Sequence, residues 1–180
     1  GWSAGIWHSV AGASGNHAFV TGSSVDSEEL NYSLTYSNAL CEGQEWQTNY
    51  AASYVYYDFP DMATKDADMQ ELNIGFAWPE ICPFAVPSYT AVYMWGSKGG
   101  GAVRNAEGFI HVFGLSKALE VDGLENPLNF SWDLTYNDDA GVPGGVVDHE
   151  FTHTKFGLST AIDGLGEGTL TPAIYYQISM

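Results

Sequence analysis

Acidic side chains gather in two stretches of this 180-residue chain: Asp58, Asp61, Asp66 and Asp68, then Asp138, Asp139, Asp148 and Glu150. Calcium binds where several carboxylate and carbonyl oxygens converge. Asp61, Asp66, Asp68, Asp138, Asp139 and Asp148 are therefore candidate calcium ligands. The spacing of a DxDxDG-type loop is absent, and solvated loop acids are the plainer reading of the same residues. His149, Glu150 and His153 lie in His-Glu-Phe-Thr-His, which superficially matches a zinc-protease motif. That motif needs a helix to bring both histidines to one face. Here the alternation reads as strand, with His149, Phe151 and His153 on one face and Glu150 on the other. The Gly-rich stretch before it offers no helix start. His8, His17 and His111 are scattered. There is no Gly-x-Ser-x-Gly, no phosphate loop and no Cys-x-x-Cys, and Gly99-Gly100-Gly101 leads into no helix. The sequons at Asn31 and Asn129 sit in mid-strand. The expectation is a protein that is not an enzyme.

The elements that would position these residues are strands. From Leu128 to Asn137 one face reads Leu, Phe, Trp, Leu, Tyr and the other Asn, Ser, Asp, Thr, Asn. A strand sends alternate side chains to opposite faces, so this segment has one apolar aromatic face and one polar face. Nine such segments are expected: 2–10, 28–40, 45–59, 69–81, 86–97, 108–121, 128–137, 149–163 and 169–180. No segment reads as a helix. The connections alternate in length. Those at about 11–27, 60–68, 98–107 and 138–148 are long and rich in Gly, Ser and Asp, whereas 41–44, 82–85, about 122–127 and 164–168 are mostly shorter. In an up-and-down antiparallel sheet, alternate connections lie at opposite ends, so one end carries tight turns and the other long loops. Cys41 and Cys82 both fall at the tight-turn end, on neighbouring hairpins, and a disulfide between them is expected; two free thiols are the alternative.

Charge bounds the partners. Twenty-two acids against five bases give a net charge of −17. Neutralising phosphates needs Lys and Arg, so nucleic acid is excluded as a partner. Docking onto an anionic membrane surface is disfavoured for the same reason. No apolar run reaches the ~20 residues of a spanning helix. The sequence starts at Gly1 rather than Met and shows no signal-peptide pattern, so a processed or partial chain is expected.

What the apolar face touches decides the function. A soluble β-sandwich buries it against a second sheet, whereas an outer-membrane barrel turns it to lipid. Three features favour the barrel. The polar positions carry few lysines. Trp46, Tyr56, Trp78, Trp95 and Tyr136 lie near segment ends, as interfacial girdles require. Segment lengths also suit the ~9–11 residues of a tilted spanning strand. On that reading Glu29, Asn31, Glu45, Asn49, Glu71, Asn73 and Asp133 line an acidic, cation-preferring lumen.

The runs YAASYVYYDFP (50–60), MQELNIGFAWP (69–79), VPSYTAVYMW (86–95), GFIHVFGL (108–115) and GTLTPAIYYQISM (168–180) resemble a family of conserved hypothetical outer-membrane β-barrel proteins of Gram-negative and planctomycete-type bacteria. The likeness covers most of the chain and rests on repeated strand patterns. It implies an all-β, antiparallel up-and-down β-barrel of ~12 strands, of which nine lie in this chain. It also implies a place in the lipid bilayer of the bacterial outer membrane and no established enzymatic activity. An interior of that size is narrow, which argues against a general diffusion porin. The chain departs from the pattern at its termini: strands before Trp2 and a final strand ending in an aromatic residue are missing. The expectation is therefore one barrel domain over 1–180 that lacks terminal strands. An alternative is an extracellular or cell-surface all-β subunit, stabilised by Ca2+, that assembles with itself into filaments through open sheet edges. A soluble sandwich that acts as a binding module is a third reading.

Overall fold

A computed structural model describes residues 1–10, 28–60, 68–97, 107–141, 149–165 and 168–180. None of them is helical. The strands are β1 (Trp2–Val10), β2 (Glu28–Leu40), β3 (Thr48–Asp58), β4 (Met69–Ala77), β5 (Val86–Gly96), β6 (Gly108–Leu119), β7 (Leu128–Asp138), β8 (Glu150–Ser159), β9 (Ile162–Leu165), β10 (Gly168–Leu170) and β11 (Ala173–Ser179). Nine of them form one antiparallel sheet in the order β1-β2-β3-β4-β5-β6-β7-β8-β11, and β9 and β10 form a separate hairpin. The up-and-down order follows from the alternation and from turn chemistry. At 41–47, Cys41 (φ 55°) and Gly43 (φ 72°) take left-handed conformations. Gln44 N donates to Cys41 O at 3.1 Å.

The sheet is not closed. β1 and β11 each have one neighbour, and with nine antiparallel strands both edges run in the same direction. The pairing is nonetheless staggered. The cross-strand row Trp2, Tyr36, Ala52, Ile74, Ala91, His111, Tyr136, Phe151 starts at the first residue of β1, at the tight-turn end. It finishes at the second residue of β8, at the long-loop end. A climb of about one residue per strand is ~3.3 Å along for each ~4.8 Å across, a tilt of ~35°, which matches the strand inclination in barrels.

Three local expectations are corrected. Glu45 and Trp46 lie in the β2–β3 turn, where both are exposed, and not on β3. The segment expected at 149–163 breaks at Thr160, and the one expected at 169–180 breaks at Thr171-Pro172, because Pro172 has no backbone N–H for the ladder. The pairing of β7 with β8 shifts register between Thr135 and Tyr136, so Phe151 faces Tyr136 while His153 faces Thr135. This β-bulge, which inserts Thr152, puts Phe151 and His153 on opposite faces, against the shared face read from alternation.

Among the described residues there is no hydrophobic core of the usual kind. Among the described residues the only buried apolar side chains are Met69 and Ala140. Strands touch only their sheet neighbours, and no described strand packs across either face.

Candidate functional site

The two faces carry opposite chemistry across all nine strands. The apolar face presents Ile6, Leu34, Tyr54, Leu72, Tyr93, Phe113, Trp132, Phe156 and Ile174, one from each strand. Of these, Ile6, Leu34, Tyr54, Leu72, Phe113 and Ile174 stand out as exposed large hydrophobics. Most of its polar residues sit toward the strand ends, with His8, Asp58, Gln70 and His111 at the long-loop side and Lys117 at the tight-turn side, while Thr154 lies in mid-β8. Rings collect there too. Tyr54, Trp95, Tyr93, Phe109, His111, Tyr136 and Phe151 make an unbroken chain of ring contacts with centroids 4.7 to 6.4 Å apart. Their polar tips reach polar partners: Tyr54 donates to Gln70 (2.6 Å) and Tyr93 to Glu107 (2.5 Å), and the Tyr89 hydroxyl meets His111 Nδ1 (2.8 Å). A second group, Trp2, Tyr36 and Tyr50, lies toward the tight turns, with centroids 4.9 and 6.2 Å apart.

The opposite face carries mostly small and polar side chains, with Trp7, Val55, Met69, Val92, Met94 and Ile110 among them. Of the residues expected to line a lumen, Glu29, Asn31, Asn49, Glu71, Asn73 and Asp133 lie on it. Asn31 donates to Glu29 (2.9 Å), and Asn73 (2.6 Å) and Tyr57 (2.9 Å) both donate to Glu71. Asp133 pairs with Lys155 (3.3 Å), whose ammonium stands 5.5 Å from the Tyr175 ring. Glycines on this face leave room for the hydroxyls of neighbouring strands. A Cβ on Gly5 would come within 2.7 Å of Ser33 Oγ, one on Gly75 within 3.1 Å of Thr90 Oγ1, and one on Gly114 would strike Ser88 Oγ. Near the tight turns this face holds an open pocket of about 650 Å³, lined by Ser37, Asn49, Ala51, Gly75, Ser88 and Thr90 among others.

Of the candidate calcium acids, Asp68, Asp138 and Asp139 are described. Asp61, Asp66 and Asp148 lie outside the described residues. Asp68 is only 1% exposed. Its carboxylate accepts from Tyr56 OH (2.7 Å) and from Phe59 N–H (3.3 Å), so it ties β3 to β4. Asp138 pairs with His149 and lies 3.9 Å from His111 Nε2, and Asp139 lies 3.6 Å from His149 Nε2. Among the described residues no group of three or more His, Cys, Asp or Glu is arranged to hold a metal. Cys41 and Cys82 are free thiols, so the expected disulfide is not formed. Hydrogen bonds from the backbone at Phe84 and Ala85 hold the Cys82 thiol below its ordinary range. Beside the β9–β10 hairpin, Asp163 accepts from Thr169 (2.9 Å) and Asn126 (3.1 Å), which lowers its carboxyl.

No protein-family model matches the sequence, and no curated protein or solved structure matches it. Reading by alternation finds the two faces. It misses the buried role of Asp68, whose partners come from a neighbouring strand, and the close approach at Gly108 described below.

Proposed function

We propose that this chain is the wall of a bacterial outer-membrane β-barrel, non-enzymatic, with a structural role or as a narrow cation-preferring passage. One observation carries the reading: an apolar face runs uninterrupted across nine strands, and nothing in the described chain covers it. Lipid is the solvent that leaves such a face stable without a second layer. The ~35° stagger, the aromatic groups toward both ends of the apolar face and the grouping of tight turns at one end support it. Glu29 and Glu71 on the polar side support a preference for cations. Asp133 contributes less to it, because Lys155 offsets its charge.

The open edges favour a second reading, a cell-surface subunit that assembles with copies of itself. β1 and β11 both expose large side chains, Trp2, Ile6 and Trp7 on one and Ile174, Tyr175 and Tyr176 on the other. Unpaired edges of this kind accept further strands. Calcium in the acidic loops belongs to this reading and would raise the melting temperature in a way that EDTA reverses.

Detergent dependence separates the two. The barrel reading expects β circular dichroism and monodisperse particles in detergent micelles or lipid, and aggregation in plain buffer. A folded, monodisperse chain in plain buffer contradicts it, and filaments in electron micrographs support the assembling subunit.

A further inference from the structure

The polar face differs at its two ends. At the tight-turn end it holds the open pocket. At the long-loop end the chain leaving β7 folds back over it. Asp139 takes a left-handed conformation (φ 64°) and forms a parallel bridge with Phe109. Asp139 and Ala140 then lie directly on Gly108. A Cβ there would collide with the Ala140 nitrogen and come within 2.6 Å of Asp139 O. Gly108 pairs with Met94 in register, so the collision is on the polar side. Asn137 Nδ2 donates to Ala140 O at 2.7 Å and fixes the fold-back; Asn137 is 8% exposed and Ala140 4%. Beside it Met69 packs with Tyr57 and Met94. The layer therefore runs from Tyr57 on β3 through Met69, Met94 and Gly108 to Asn137 on β7, with the Glu71 carboxylate held against it by Tyr57.

We propose that this layer is the constriction of the barrel: the fold-back at Asp139–Gly141, seated on Gly108 and fixed by Asn137, closes the interior toward the long loops, and solutes reach its acidic lining from the tight-turn side. The inference rests on the barrel reading. It makes Gly108 and Asn137 positioning residues for the narrowest point, because only glycine leaves room for the backbone there.

Native Cys41, exposed in the β2–β3 turn, marks the tight-turn side of a vesicle. A Thr90→Cys variant places a thiol in the open pocket. With a membrane-impermeant cationic thiol reagent added outside proteoliposomes, the fraction labelled at position 90 should equal the fraction labelled at Cys41, read by peptide mass spectrometry. Adding Asn137→Ala, which removes the bond without adding bulk, should raise labelling of position 90 from the long-loop side severalfold, and Gly108→Val should raise it further. Labelling at position 90 that is complete whichever way the protein faces, without those changes, overturns the constriction. So does an inserted Asn137→Ala variant with unaltered labelling. If the protein does not float with the vesicles at all, the barrel reading fails instead.

Discussion

Leu72 and Asn73 are adjacent on β4, yet they meet different surroundings. Leu72 lies in an apolar field between Tyr54 on β3 and Tyr93 on β5. Asn73 lies between Ser53 on β3 and Val92 on β5 and donates to Glu71. In a soluble two-layer protein the Leu72 side is the buried one. Here it is 39% exposed, while the polar side holds the open pocket and the fold-back at Ala140. On the proposed barrel reading the apolar side would face lipid and the polar side the interior.

The largest effect should come from swapping that chemistry. Leu72→Arg is expected to destabilise the lipid-inserted protein by ~2–4 kcal/mol, measured by urea titration in vesicles. Asn73→Arg, one residue away beside Glu71, should change stability by less than about 1 kcal/mol. Equal losses would mean that both faces are solvated alike. A smaller effect is expected where the apolar face meets the long loops. Asp68→Ala strands the Tyr56 hydroxyl and the Phe59 N–H away from water and should cost ~1–3 kcal/mol. Tyr56→Phe should cost less, and an unchanged urea midpoint for Asp68→Ala would show that this rim is wet.

Two weaker effects test the tight-turn end. The Cys82 thiol is lowered by backbone hydrogen bonds, so its thiolate is favoured in the folded state. Its alkylation rate should reach half-maximum below the ~8.5 of an ordinary thiol and return there in denaturant; a midpoint unmoved by unfolding contradicts this. Asp163 is likewise lowered, so its latch to Asn126 and Thr169 is complete above the usual carboxylate value of ~3.9 and is lost as pH falls through the lower folded value. The Asn126 side-chain amide resonance should shift only in that acid window, and a shift centred at or above the ordinary value would rule the latch out.

Period-two alternation made the sheet legible in the sequence. β1 and β2 match the expected segments end to end, and β7 extends its segment by one residue. What alternation cannot encode is a change of phase. The bulge at Thr152 adds a residue without a compositional signal, so His153 was placed on the wrong face. Glu45 and Trp46 continue the alternation of β3 but belong to a turn that starts from a left-handed Cys41, a residue with no turn signature. Asp68 read as one loop acid among several, because its burial depends on Tyr56, twelve residues earlier in the chain. Gly108 offers only the absence of a side chain, and its meaning comes from Ala140 lying on it.

The central claim is that the Leu-Phe-Trp-Leu-Tyr face of β7 looks into lipid. Nitroxide labels placed singly from Asn129 to Asn137, with Cys41 and Cys82 replaced by serine, read the solvent of each position through their accessibility to oxygen and to a water-soluble nickel complex. The barrel predicts a period of two in reconstituted vesicles, with oxygen access high at Phe130, Trp132, Leu134 and Tyr136 and low at Ser131, Asp133 and Thr135. Nickel access at the first set equal to that at the second, or no alternation at all, would contradict it.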